Sequence, residues 1–148
     1  MKLGTKLGYW YSPFHRFTIA NALRVEGIMR ISGINLPTQE LIFWGGDDTI
    51  RGFKEDALNP NGGTFGFLHN LEFQLRLFKG FEAVGFFDTA SLTNGIGQTG
   101  LASIRHSAGG GIRYITPVGP IRLEYGVILD RQPNENFGRL HFTFGYFF

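Results

Sequence analysis

Glu72 and Asp88 each stand in a stretch whose polar and apolar residues alternate, and a tight link at Lys79-Gly80 separates the two stretches. A hairpin that keeps both polar sets on one face allows two registers. One sets Glu72 opposite Asp88, and the next puts them one diagonal apart. Carboxylates that close repel each other and raise each other's pKa unless a cation lies between them. The preceding segment, Trp44-Gly45-Gly46-Asp47-Asp48-Thr49-Ile50-Arg51-Gly52-Phe53, supplies one. Its paired glycines permit tight folding, and Arg51 offers a planar fork suited to carboxylates. Two arrangements fit these residues. Either the loop folds back over the polar face and Arg51 locks between Glu72 and Asp88, or Arg51 is solvated on an exposed loop and Glu72 is balanced by its strand neighbours Gln74 and Arg76.

A second hairpin closes around Pro117-Val118-Gly119-Pro120. With Val118-Gly119 as a two-residue turn, Arg113 faces Glu124, Tyr114 faces Leu123 and Ile112 faces Tyr125, so charges pair with charges and apolar groups with apolar groups. Other residues able to do chemistry read plainly. His15, His69, His106 and His141 share no ligand face, so no metal site is expected. Gly109-Gly110-Gly111 opens a strand and not a helix, which fails the context of a phosphate loop and suits a bend or close packing. Asp47-Asp48 reads as solvated loop acid. No spacing of Ser, His and Asp supports a nucleophile, no cofactor is implied, and no enzyme is expected.

The elements that must position these groups follow from composition and periodicity. In 148 residues there are 22 Gly, 16 Phe, 5 Tyr and 2 Trp but no Cys. Glycine at about twice its usual share disfavours helix bundles. The absence of Cys excludes disulfide scaffolds and thiol chemistry. Lys and Arg number 14 against 12 Asp and Glu, a net charge of +2 that does not describe a nucleic-acid surface. Apolar runs such as Leu41 to Trp44 are far below the roughly 18 residues of a membrane-spanning helix, and the start has no apolar leader pattern.

Period-two alternation predicts strands from Phe17 to Ile31 and Phe65 to Leu77, and fainter versions at Leu3 to Tyr11, Phe81 to Ala90, Gly109 to Thr116, Ile121 to Leu129 and Leu140 to Phe148. Short links at Ser12-Pro13-Phe14, Lys79-Gly80 and Pro117 to Pro120 alternate with long ones, at about 32–64, 91–107 and 130–139. Such a meander is the habit of a transmembrane β-barrel, although a soluble lipocalin-like barrel with apolar residues inside shares the periodicity. The last stretch tilts the reading toward lipid, since Phe142, Phe144, Tyr146 and Phe148 form one exposed aromatic row. Arg24, Glu26, Arg30, Glu72, Arg76, Asp88, Arg113, Arg122 and Glu124 collect on the opposite face and can line a hydrated lumen. Phe73, Leu123 and Phe144 are therefore expected to face lipid, and Arg24, Glu72 and Arg122 the lumen.

Five stretches carry a resemblance. They are Gly45-Gly46 with Thr49-Ile50-Arg51-Gly52-Phe53, Asn70-Leu71-Glu72-Phe73, Gly85-Phe86-Phe87-Asp88, Gly111 to Tyr125, and the terminal aromatic strand. In order and spacing the sequence resembles the BamA and TamA superfamily of outer-membrane barrels. The departures are Ile50 for the commoner Val and Thr89-Ala90 after Asp88. The resemblance implies an all-β fold: the C-terminal part of a sixteen-stranded antiparallel barrel over residues 1–148, with the POTRA domains and first nine strands outside this sequence. It implies a sixth extracellular loop whose Arg51, Gly52 and Phe53 enter the lumen and meet Glu72 and Asp88. It also implies an outer-membrane location, in a bacterium or derived organelle, and lipid and unfolded client proteins as partners. Client strands would be templated at a seam formed here by Leu140 to Phe148, with Leu140, Phe142, Phe144, Gly145, Tyr146 and Phe148 at the edge. Seven strands cannot close a membrane barrel, so the edges are expected to pair with further barrel strands or with other copies. The alternatives are a small oligomeric outer-membrane barrel with a structural or pore role, and a soluble barrel holding an apolar ligand.

Overall fold

A computed structural model describes residues 2–29, 37–95, 97 and 103–145. Among these residues seven strands form one antiparallel sheet in sequence order: β1 (Lys2–Phe14), β2 (Phe17–Ile28), β3 (Phe65–Arg76), β4 (Phe81–Thr93), β5 (Arg105–Thr116), β6 (Gly119–Ile128) and β7 (Gly138–Phe144). A three-residue 3-10 helix, Thr38–Glu40, lies in the connection between β2 and β3. The first five strands have 12 or 13 residues, long beside soluble-protein strands and sufficient for a tilted crossing of a bilayer. β1 and β7 are the two edges.

The ends of several strands differ from the expectation. Ser12, Pro13 and Phe14, read as a link, belong to β1, and its register slips between Tyr11 and Phe14. Pro13 has no N–H, and a bulge on an edge strand is where a ladder tolerates that. β4 continues to Thr93 and β5 begins at Arg105, which shortens the link between them. Arg30, Ile31, Tyr146 and Phe148 lie outside the described residues.

The β5–β6 hairpin corrects a register. Thr116 pairs with Gly119, so the turn is Pro117-Val118, and Arg113 faces Arg122 and not Glu124. The expected turn would have set Pro117 opposite Pro120 at the hairpin's closing pair, where neither residue has an N–H to donate. A slip of two residues leaves every side chain on its face. Arg113 thus still reaches Glu124 diagonally, with Nη2 2.6 Å from Oε1. In the β3–β4 hairpin the diagonal register is the one adopted: Asn70 faces Asp88 and Glu72 faces Phe86.

The two faces of the sheet have opposite chemistry. Leu7, Tyr9, Phe73, Leu75, Tyr114, Leu123, Tyr125, Phe142 and Phe144 are exposed on the outer face, an apolar area too large for water and suited to lipid. On this face His69 Nε2 and Asn21 Oδ1 hydrogen-bond each other, which lowers the cost of placing two polar side chains in apolar surroundings. The inner face carries the ionisable groups and is covered by residues of the β2–β3 loop. Loop residues Ile42, Trp44, Ile50 and Phe53 pack with Leu68, Ala90, Leu92 and Ile128 of β3, β4 and β6 in one buried cluster. The inner face is therefore not uniformly polar. Each fully buried aliphatic or aromatic side chain adds about 1.5–3 kcal/mol toward seating the loop. For spin or fluorescent labels, lipid-dissolved quenchers should act on positions 73, 123 and 144 and spare 24 and 122; the reverse pattern would invert the sheet.

Candidate functional site

Four strands and the loop bring their charges to one point on the inner face. Inward positions recur every second residue, which places Asn70 and Glu72 of β3, Phe86 and Asp88 of β4, Arg113 of β5, and Arg122 and Glu124 of β6 on the same side. The loop reaches this point through a compact turn in which Gly45 N–H donates to Thr49 Oγ1 at 2.8 Å. Arg51 follows and is 3% exposed, while Glu72 and Asp88 are both 0% exposed.

The guanidinium of Arg51 engages three carboxylates. Nε and Nη2 grip Asp88 at 2.9 and 2.8 Å, and Nη1 donates to Glu72 at 2.7 Å and to Glu124 at 3.1 Å. The Arg51 backbone N–H also donates to Asp88, at 3.0 Å. Beneath the fork lies the Phe86 ring, with its centroid 3.7 Å from the guanidinium carbon, a cation–π contact. Gly109 leaves that ring its room: a Cβ there would come within 2.6 Å of the ring's tip.

Arg113 is the second cation of the cluster. It forks onto both Glu72 oxygens at 2.7 Å each and donates from Nε to Glu124 at 2.8 Å. Gln74 completes Glu72, and Asn70 bridges Asp88 to the Thr49 carbonyl. Burial by itself pushes the Arg51 pKa down. The hydrogen bond and charge of Asp88, with the charges of Glu72 and Glu124, outweigh it and hold Arg51 above the ordinary arginine value. Arg51 is charged at any working pH. With the guanidiniums of Arg51 and Arg113 among three carboxylates, buried and hydrogen-bonded, the cluster is a structural ion-pair network.

Gly52 and Phe53 are placed by different neighbours. Gly52 adopts φ 94°, a conformation costly for any side chain, and its backbone lies directly on Gly126 of β6. A Cβ on Gly126 would stand 2.6 Å from Gly52 N and 2.8 Å from Arg51 C. Gly52 N–H donates to His141 Nε2 of β7 at 3.1 Å. Phe53 enters the apolar cluster, with the guanidinium of Arg105 5.0 Å from its ring centre.

Of the residues singled out from sequence, Arg51, Glu72 and Asp88 are thus in direct contact, and Gly52 and Phe53 continue the same loop. Leu140, Phe142 and Phe144 lie on β7, away from the cluster, with Gly145 just beyond it; Tyr146 and Phe148 lie outside the described residues. Phe86, Gly126 and His141 are not among the site residues that the sequence marks, and Arg113 and Glu124 enter only as a cross-strand pair and as charges of the polar face. Inward parity is the signal shared by all five, although Gly126 has no side chain to display it.

Arg105 itself is held by the β6–β7 loop. It donates to Glu135 at 2.6 and 3.0 Å and to the Asp130 carboxylate at 3.2 Å. Arg105's hydrogen bond, the largest influence on Glu135, holds that carboxyl below its usual range despite some burial. A depressed carboxylate adds stability that is present above its unfolded value, about 4.3, and disappears as pH falls through the folded value. Acidification below about pH 4 should therefore speed amide exchange in residues 130–137, and Glu135→Gln should remove that pH dependence; exchange that ignores pH in the parent protein would contradict the link.

The Omp85 superfamily domain matches residues 1–148. The chain belongs to the Omp85 superfamily. Among its relatives is the outer membrane protein assembly factor BamA of Nitratidesulfovibrio vulgaris, 31% identical over 133 residues, a match covering 77% of this chain and 16% of that protein. Outer envelope protein 80, chloroplastic, of Oryza sativa subsp. japonica is 31% identical over 147 residues, covering 94% of this chain and 20% of that protein. Among solved structures, the crystal structure of Haemophilus ducreyi BamA lacking POTRA domains 1–3 superposes with a TM-score of 0.79 at 17% identity, over 95% of this chain and 34% of that one. This Omp85 chain therefore spans a fifth or less of the curated relatives it matches. Its fold is that of the outer-membrane barrel, and its setting is the outer membrane of a bacterium or organelle.

Proposed function

We propose that this chain is the C-terminal part of an Omp85 barrel that inserts or translocates client proteins across the outer membrane, with β7 as the templating edge and Arg51, Gly52, Phe53, Glu72 and Asp88 as the lock that holds the in-folded loop. The observation that carries the reading is the state of β7. Its ladder with β6 is set by Ile128 N–H on the Phe137 carbonyl and Gly145 N–H on the Pro120 carbonyl. By antiparallel alternation the N–H groups of Leu140, Phe142 and Phe144 then point away from β6, toward the open edge. The side chains of the same three residues are exposed on the outer, apolar face. A strand arriving at this edge meets unspent backbone donors flanked by lipid-compatible side chains, the geometry of β-augmentation. In hydrocarbon each unsatisfied backbone group costs several kcal/mol, which drives pairing. In the resting protein these groups, and those of β1, would be met by further barrel strands or by another copy of the chain.

Phe144→Pro tests the reading, because it deletes one edge donor and leaves the β6 ladder intact. It should slow client-strand insertion into liposomes about fivefold to tenfold, the worth of one hydrogen bond of about 1 kcal/mol, whereas a proline at Gln132 in the β6–β7 loop should not. Equal insertion by both variants would remove β7 from the role. Ion conductance without any insertion activity would favour a pore.

A further inference from the structure

The loop does more than fill the inner face: it reaches the terminal strand. Gly52 N–H donates to His141 Nε2 at 3.1 Å, and Thr143 Oγ1 donates to Asp47 at 2.5 Å. His141 and Thr143 are successive inward residues of β7, and His141 is buried. Their backbone N–H groups belong to the β6 ladder, while their side chains belong to the loop. Among the described residues β7 is also the shortest strand, pairing with β6 from Gly138 to Phe144. It gains extra hold from these two contacts, made by loop residues that flank Arg51 on either side.

We propose that His141 and Thr143 are positioning residues through which the seated loop pins β7 to the sheet, so that withdrawal of Arg51 from Glu72 and Asp88 releases the terminal strand. Two features of the geometry support this. Gly52 is adjacent to Arg51 and lies on Gly126, whose partner across the ladder is Arg139 of β7, so the loop tip sits over the β6–β7 boundary. Arg51 is gripped through its backbone N–H as well as its side chain, so the position of residue 51 fixes that of residue 52. Movement of the loop that breaks the Arg51 contacts carries the Gly52 donor off His141. The regulated element is then the edge itself, and a closed loop and a free β7 are mutually exclusive. This coupling builds on the edge role proposed for β7, and the experiment separates the two.

The measurement is amide exchange across residues 139–145, with client insertion followed in parallel, on the full-length protein in lipid nanodiscs. The variant His141→Leu with Thr143→Val keeps strand-compatible side chains and removes both contacts. It should speed exchange in β7 about tenfold or more, corresponding to two lost hydrogen bonds, and leave β3 and β4 as protected as in the parent. His141→Gln, whose side-chain oxygen can take the Gly52 N–H, combined with native Thr143, should stay close to the parent. Arg51→Ala should release β7 as the double variant does. Unchanged β7 exchange in the double variant would overturn the coupling, as would a rise spread evenly over β3 to β5. Released β7 with normal insertion would leave the coupling standing and remove the edge role; loss of insertion in Phe144→Pro, with β7 exchange indifferent to residues 141 and 143, would do the opposite.

Discussion

Arg51→Ala is expected to expel the loop from the inner face and to cost on the order of 3–5 kcal/mol, the penalty for leaving buried charge uncompensated. Glu72 and Glu124 would still rest on Arg113, but Asp88 would keep only Asn70. Asp88 suffers most, since the Arg51 side chain gives it two of its hydrogen bonds and the Arg51 backbone a third. Cleavage at Lys54, exposed beside the seated loop tip, gives the readout. Trypsin should cut there rapidly in Arg51→Ala and slowly in the parent protein. Arg51→Lys should recover only part of the protection, because an ammonium supplies point-like charge without the fork that spans Asp88 and Glu72 together. A loop equally resistant in all three proteins would show that the ion pairs do not hold it.

Gly126→Val should expel the same loop while leaving every charge in place. The added Cβ meets Gly52 N at 2.6 Å and Arg51 C at 2.8 Å. Both contacts are backbone, so no side-chain rotation relieves them. Overpacking of this kind costs about 1–3 kcal/mol, and moving the loop is the available relief. Lys54 should again become cleavable. Since the two substitutions act by releasing one element, Gly126→Val in an Arg51→Ala background should add little, a non-additivity readable by a double-mutant cycle. Full additivity would mean that β6 itself is damaged and that the Gly52–Gly126 contact does not seat the loop.

Period-two alternation revealed most of the architecture, because a sheet with lipid on one side and charge on the other must write both faces into every strand. Phe65 to Arg76 is the clearest instance. Like-charge chemistry on β3 and β4 directed attention to a cation, and Arg51 was the arginine flanked by residues able to fold tightly. Other features left no local trace. Gly126 matters because a loop backbone from far upstream rests on it; the alternation in β6 puts it on the inner face, but a glycine carries no side chain that announces the contact. His141 looked like a stray histidine, since its partner is a main-chain N–H. Arg113 and Glu124 were matched to each other by charge, and the matching misled the register: two arginines face directly across the ladder, tolerated because Glu124 sits on the diagonal. Trp44 and Ile50 stand in the Arg51 segment, but nothing local to them shows that Leu68, Leu92 and Ile128 form their seat.

The separations along the chain between the loop and its anchors set an order of events during folding. Arg51 meets Glu72 across 21 residues, Asp88 across 37 and Glu124 across 73. Gly52 meets His141 across 89, and Asp47 meets Thr143 across 96. All these anchors are synthesised after the loop, and the last lie on strands that must already be laid side by side. Closing such long spans carries an entropy cost that only a nearly finished sheet repays. The loop therefore settles last, as a check that β3 to β7 have reached their registers. Contacts formed so late lie beyond the rate-limiting barrier, so substitutions at Arg51 or His141 should hasten unfolding and leave the rate of folding almost unaltered.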